Sequence, residues 1–253
     1  MGKVIAVVTQ KGGVAKTTTT NALAAGYVKK GFRVLCVDMD PQRNLSFSMA
    51  ADLENSATAY HILRCEVRTQ FAIQHTIISD LIASSPLLSS IDLEFTGKNR
   101  QFLLKQALEP IVDQYDYILI DSPPNLGILT VNALIASDYV IIPTLSDIYS
   151  LHGLVQVHET ISFIKQHDNP NLTVAGVLFT RFNPYTRLTR SLLGAAEMVC
   201  GNLEIPLFET KIRNSISLTE AQNLQFNIME QAKHSNGAKD YMALVDELLA
   251  KGV

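Results

Sequence analysis

Short, continuous apolar runs recur along the chain and alternate with longer stretches of mixed polarity. Lys3–Thr9 (KVIAVVT), Arg33–Met39 (RVLCVDM), Tyr117–Asp121 (YILID), Tyr139–Pro143 (YVIIP) and Thr173–Thr180 (TVAGVLFT) are rich in β-branched residues and lack polar alternation. That pattern predicts strands buried on both faces. Between them, Thr17–Lys30, Leu126–Ala136, Ser150–His167, Arg187–Cys200 and Gly237–Lys251 read as helices, with Gly31 as the residue that ends the first. Strands that alternate with helices require parallel pairing and right-handed crossovers. The expected fold is therefore α/β: a doubly wound, mostly parallel sheet with helices on both faces and its ligand at the carboxyl ends of the strands. The section from Ala50 to Lys98 is less periodic, and only a short helix at Thr58–Cys65 and a short strand at Ser79–Ala83 are predicted there. No internal repeat, low-complexity tract or flexible linker interrupts the pattern, so residues 1–253 are expected to form a single domain.

The junction between the first strand and the first helix carries the strongest chemical signal. Its sequence is Gln10-Lys11-Gly12-Gly13-Val14-Ala15-Lys16-Thr17-Thr18. Phosphate binding needs backbone N–H groups facing a cavity, glycines that let the chain come close, and a helix N-terminus aimed at the anion. It also needs a cation for the phosphate oxygens and a hydroxyl for Mg²⁺. Gly12 and Gly13 allow the approach, Lys16 is the cation and Thr17 the hydroxyl, within a nucleotide-binding run from Lys11 to Thr18 that includes Val14, Ala15 and Thr18. The plain pattern GxxxxGK[ST] is not met, because Gln10 and Ala15 stand where its glycines belong. The pattern that is met is KGGxxK[ST], with the extra Lys11. If position 15 needs a positive φ, the alanine methyl costs on the order of 1 kcal/mol, which would weaken nucleotide affinity or turnover.

Carboxylates end the neighbouring strands. Asp38 and Asp40, at i and i+2 in VDMDPQ, share one face. Beside a phosphate site they can orient metal-bound and attacking water. Asp121 ends the run YILID, the place from which a carboxylate holds Mg²⁺ through water.

Composition narrows the class. Hydrophobic residues are 47% and charged residues 18% of 253, which excludes a disordered or fibrous chain. A net charge of −3 excludes a globally basic nucleic-acid binder, so any DNA contact needs a local patch or an oligomer. Three cysteines (Cys36, Cys65, Cys200) without a CxxC pair argue against a disulfide scaffold and a thiolate metal site. No stretch has the roughly 20 apolar residues that cross a bilayer, and the start lacks a signal-peptide core. A cytoplasmic protein without stable membrane association is expected.

The KGGxxK[ST] loop, the VDxDPQ-like segment and the run YDYILIDSPPNLGILTVNALIASDYVIIP, in this order, resemble the ParA/MinD family of deviant Walker ATPases. The likeness covers most of the chain and is weakest from Ala50 to Lys98. It implies a P-loop NTPase fold, ATP and Mg²⁺ as cofactors, and an ATP-bound sandwich homodimer in which Lys11 reaches the partner's nucleotide. Lys16 would serve catalysis as well as phosphate binding. Asp40 would position the hydrolytic water, Asp38 would support the metal shell, and Ser122–Gly127 would sense the γ-phosphate. Thr180 and Arg181, in TRFNP, are similar to a segment that contacts the adenine base.

Three branches of that family are distinguishable. A nitrogenase-reductase-like iron protein needs two cysteines in the switch segments, and these three lie elsewhere. A MinD-like ATPase, positioning cargo or division proteins at a membrane or on a protein partner, fits TRFNP but wants a basic amphipathic tail. A short, Soj-like ParA ATPase without a preceding helix-turn-helix domain fits the DPQ, SPPNLG and VNAL segments and the stretch Ile212–Ala221. That branch implies plasmid or chromosome partition, nonspecific DNA binding on the nucleoid and a ParB-like partner that stimulates hydrolysis. Candidate DNA contacts are Arg187, Arg190, Lys211 and Arg213, although Ser217 stands where some relatives carry a further arginine.

Overall fold

A computed structural model describes residues 2–253, with the side chains of Asp92, Arg187, Leu188 and Arg190 outside the described residues. Seven strands form one sheet: β1 Lys3–Val7, β2 Val34–Asp38, β3 Ile73–His75, β4 Asp80–Ile82, β5 Tyr117–Asp121, β6 Tyr139–Thr144 and β7 Thr173–Phe179. Their order is β3-β4-β2-β5-β1-β6-β7, and every pairing is parallel except β3 with β4. The apolar runs are buried on both faces because alternate residues feed different cores. Val4, Leu35, Val37, Ile118 and Ile120 enter one, and Ile5, Val34, Cys36, Tyr117 and Leu119 enter the other.

Eleven α-helices are described: α1 Lys16–Lys29, α2 Asn44–Ser48, α3 Ala59–Leu63, α4 Ile91–Glu94, α5 Leu103–Leu108, α6 Ile128–Ala136, α7 Ile148–His167, α8 Arg187–Asn202, α9 Ile216–Asn223, α10 Ile228–Gln231 and α11 Asn236–Ala250. On one face α5, α6 and α7 contribute Leu104, Leu108, Ala133, Leu134, Val157 and Ile161. On the other α1 lies against α11, and its run Ala22–Tyr27 meets Tyr241, Leu244, Val245 and Leu248 in one core. Gly26 permits that approach: a Cβ there would sit 2.8 Å from Val245 Cγ2.

The predicted strands and long helices are all present, with shifted ends. The first helix is followed by Gly31 at φ +92°, the expected left-handed stop. α7 begins at Ile148 rather than Ser150 because the Asp147 side chain accepts the Ser150 N–H and caps two residues earlier. In the less periodic section, α3 and β4 match the two predicted elements. The antiparallel edge β3 and short helices α2, α4, α5, α9 and α10 were not predicted; all but α9 have six residues or fewer, too short to develop a period.

Candidate functional site

The loop after β1 and the N-terminus of α1 line one end of a cavity of about 550 Å³ at the carboxyl ends of β1, β2 and β5. Gly13 has φ +74° and Ala15 φ +64°. The left-handed backbone anticipated at position 15 is therefore present, with alanine in it. Ala15 is also the N-cap of α1 and offers no side-chain oxygen, so the first amides of the helix are left for an anion. Val14 is buried beneath the loop, and its carbonyl accepts a hydrogen bond from the Thr180 hydroxyl at 3.1 Å.

Lys16 lines the cavity while only 7% exposed. Burial pushes its pKa down, and the charges of Asp121 and Asp40 oppose that shift. Thr17 donates to Asp121 Oδ2 at 2.7 Å. Asp121 Oδ1 is buried without a hydrogen-bond partner. Strand register sets Asp38 directly beside Asp121. Both carboxyl groups are fully buried, and burial raises both pKa values, with repulsion from neighbouring aspartates adding to the shift. An unsatisfied carboxylate oxygen, a threonine hydroxyl and buried negative charge fit a small divalent cation, and Mg²⁺ favours such a site shared with phosphate and water. Thr17 and Asp121 are the residues that would hold it.

Asp38 is placed differently from Asp121. Its Oδ2 accepts from both the amide and hydroxyl of Ser46, at 2.8 and 2.7 Å, and its Oδ1 accepts from the Asp40 amide at 3.1 Å. With three donors from the chain, it braces the segment behind the metal position. Asp40 lines the cavity, and its Oδ1 accepts the Gln42 amide at 3.0 Å. In the predicted sensing segment, Ser122 donates to the Val7 carbonyl at 2.9 Å, tying it to β1, and Pro124 reaches the cavity.

Lys11 is not among the residues lining the cavity that its own loop forms. Its side chain, 36% exposed, meets Asp147 Oδ2 at 2.7 Å and Ser150 Oγ at 3.3 Å. Asp147 is a site residue that the sequence reading missed; its one signal is the Asp-x-x-Ser spacing of a helix cap.

The far end of the cavity is built from Thr180, Arg181, Ile212–Ser215, α9 and Tyr241. Arg181 adopts φ +51° there. Thr180 lines the cavity, yet its hydroxyl serves the Val14 and Thr144 carbonyls. Thr18 donates to Gln222 Oε1 at 3.1 Å, and Tyr241 pairs with Thr19 at 2.9 Å. Arg213 also lines this end, and Asp240 holds its guanidinium in a two-oxygen fork as short as 2.6 Å. Lys211 donates to the carbonyls of Phe208 and Glu209. The side chains of the other two DNA candidates, Arg187 and Arg190, lie outside the described residues.

Comparison with known proteins agrees with this geometry. A family model described as "AAA domain" matches residues 2–174. Soj of Bacillus subtilis, described as a sporulation initiation inhibitor protein, is 37% identical over 100% of both chains. The chromosome partitioning protein ParA of Myxococcus xanthus is 36% identical, over 99% of this chain and 89% of that protein. A solved structure of cobyrinic acid a,c-diamide synthase from Mycobacterium smegmatis, with bound ATP analog and magnesium, superposes with a TM-score of 0.85 at 31% identity, covering 98% of this chain and 95% of that one. ATP with magnesium is thus the cofactor pair that fits Lys16, Thr17 and Asp121. The chain belongs to the ParA/MinD-type family of P-loop ATPases.

Proposed function

We propose that this protein is a partition ATPase that alternates between a monomer and an ATP-bound sandwich dimer. The observation that carries the reading is the placement of Lys11. Its own loop forms a cavity it does not line, and it is held outside it by a partly exposed carboxylate and the Ser150 hydroxyl. A lysine so placed is free to serve the nucleotide of a second copy, where its charge offsets that developing on the transferred phosphoryl group.

Within each subunit, the loop amides and Lys16 bind the phosphates and Thr17 and Asp121 hold Mg²⁺. Bound Mg²⁺ neutralises phosphate charge, and Asp40 orients the attacking water. Asp38 keeps the Asp40 segment in place. Ser122–Gly127 responds to the γ-phosphate through its contact with the cavity. The ATP-bound dimer binds nonspecific DNA, which places it on the nucleoid, and a ParB-like partner stimulates hydrolysis and releases it. With a chain charge of −3, DNA binding depends on a local basic patch doubled by dimerisation. Arg187, Arg190, Lys211 and Arg213 are the candidate contributors, and Arg213 is already paired with Asp240. The names of the full-length relatives support the partition role. Among the described residues no helix is long and apolar enough to cross a membrane.

Cosedimentation with nonspecific DNA and, separately, with anionic vesicles tests the reading, each with Mg·ATP and Mg·ADP. ATP-dependent DNA binding that weakens with salt is the expected result. Vesicle binding without DNA binding would move the protein to the membrane branch of its family.

A further inference from the structure

Asp40 sits two residues beyond the end of β2, one past Met39, whose amide donates to the Asp121 carbonyl at 2.9 Å. Four contacts fix it. Its amide donates to Asp38 Oδ1 at 3.1 Å, and its side-chain Oδ1 accepts the Gln42 amide at 3.0 Å. Its carbonyl accepts the Arg43 amide at 2.9 Å and the Ser84 hydroxyl at 2.6 Å. Only Ser84 comes from another strand: it lies two residues past β4, which pairs with β2.

Ser84 is bonded twice. Its amide donates to Ser46 Oγ at 2.9 Å, and Ser46 Oγ donates to Asp38 Oδ2 at 2.7 Å. The contacts therefore close on themselves: Asp40 amide to Asp38, Ser46 to Asp38, Ser84 amide to Ser46, Ser84 hydroxyl to the Asp40 carbonyl. Proton directions are fixed around this ring. Asp38 Oδ2 already accepts the Ser46 amide and a carbonyl only accepts, so each serine spends its one hydroxyl proton on these oxygens, and Ser46 is left to accept from Ser84. Ser46 and Ser84 are 0% and 1% exposed, and neither lines the nucleotide cavity.

We infer that Ser46 and Ser84 are positioning residues for hydrolysis, clamping the Asp40 backbone at both its amide and its carbonyl so that the carboxylate meets the attacking water in one geometry. This rests on the reading of Asp40 as the water-orienting residue. Displacements of about 1 Å cost up to about 100-fold in rate where geometry sets the barrier, whereas phosphate binding at the loop does not pass through this ring.

The experiment is single-turnover ATP hydrolysis with parallel nucleotide-binding titrations on wild type, Ser84→Ala, Asp40→Asn and the double variant. Ser84→Ala removes only the hydroxyl and leaves the amide bond to Ser46. The expected result is a rate lowered about 10-fold or more per nucleotide-binding site, with ATP affinity within about 3-fold. In the Asp40→Asn background the same change should have no further effect, because the residue it acts through is gone. Ser84→Cys keeps a weak donor and should fall between, and it replaces Ser84→Ala if that variant does not fold. An unchanged rate in Ser84→Ala beside an impaired Asp40→Asn overturns the clamp. So do losses that multiply in the double variant. An unimpaired Asp40→Asn instead removes the reading of Asp40 on which the clamp depends.

Discussion

The two ends of the nucleotide cavity are built by different means. At the phosphate end, one run of consecutive residues does most of the work: Gly12 to Thr18 set the backbone, Lys16 is buried within it, and Thr17 is bonded to Asp121 at the end of a neighbouring strand. At the other end, Thr180, Ile212–Ser215, α9 and Tyr241 converge from segments far apart in the chain. Its contacts are single hydrogen bonds such as Thr18–Gln222, or a partly exposed pair such as Arg213–Asp240, and Ile216 at the start of α9 is 77% exposed. Phosphate carries concentrated charge and repays a rigid, desolvated site. The far end, with its dispersed contacts, is the looser of the two.

Paired substitutions measure that contrast most directly. Lys16→Ala should lower ATP affinity by more than about 100-fold, because it removes a buried cation at the phosphates and leaves Asp121 and Asp40 without its compensation. Gln222→Ala, which loses one bond between neutral groups, should change affinity by less than about 5-fold. Isothermal titration with Mg·ATP reads both. Comparable losses at the two ends would abolish the distinction.

The buried carboxylates make the phosphate end sensitive to pH. Burial raises the folded-state pKa of Asp121 and Asp38 above their unfolded values. These two groups therefore bind more protons in the folded chain than in the unfolded one once pH exceeds the ordinary carboxylate range, and their contribution to stability falls as pH climbs from there toward neutrality. Asp121→Asn mimics the protonated group. Without nucleotide or metal it should melt higher than wild type at pH 8 and by a smaller margin at pH 5, and Mg²⁺ at pH 8 should raise the wild-type melting temperature but not the variant's. A variant that melts lower at both pH values would mean that the Asp121 charge stabilises the fold, and the metal assignment would lose its electrostatic basis.

Legibility in the sequence follows the same division. The phosphate end was readable because its chemistry depends on backbone conformation and near neighbours: glycines, a lysine and a threonine within one short run, and aspartates at strand ends. The strands were readable because burial on both faces leaves nothing but apolar residues. Asp147, Ser46, Ser84 and Gln222 were not readable, since each acts on a residue brought near by the folded chain rather than by a recognisable spacing. Arg213 shows the converse. As a sequence feature it was a loop arginine suited to DNA, and the fold gives it to Asp240 beside the cavity.

The smallest effect concerns Gly13 and Ala15, which share a left-handed backbone with opposite side-chain choices. A non-glycine residue in that region costs roughly 1–2 kcal/mol, and no neighbouring atom lies within 4 Å of a Cβ at Gly13, so backbone strain alone should decide the outcome there. Gly13→Ala should lower the melting temperature. Ala15→Gly should raise it, though by less, because the added glycine also frees the unfolded chain by about 0.4–1 kcal/mol. For a domain of this size a net gain of up to about 1 kcal/mol corresponds to a rise of about 2–4 °C. Opposite shifts measured by thermal unfolding would establish that this loop holds its shape against the preference of the alanine. Shifts of the same sign would locate the cost in something other than φ, and Ala15 would then cease to be the strained member of the loop.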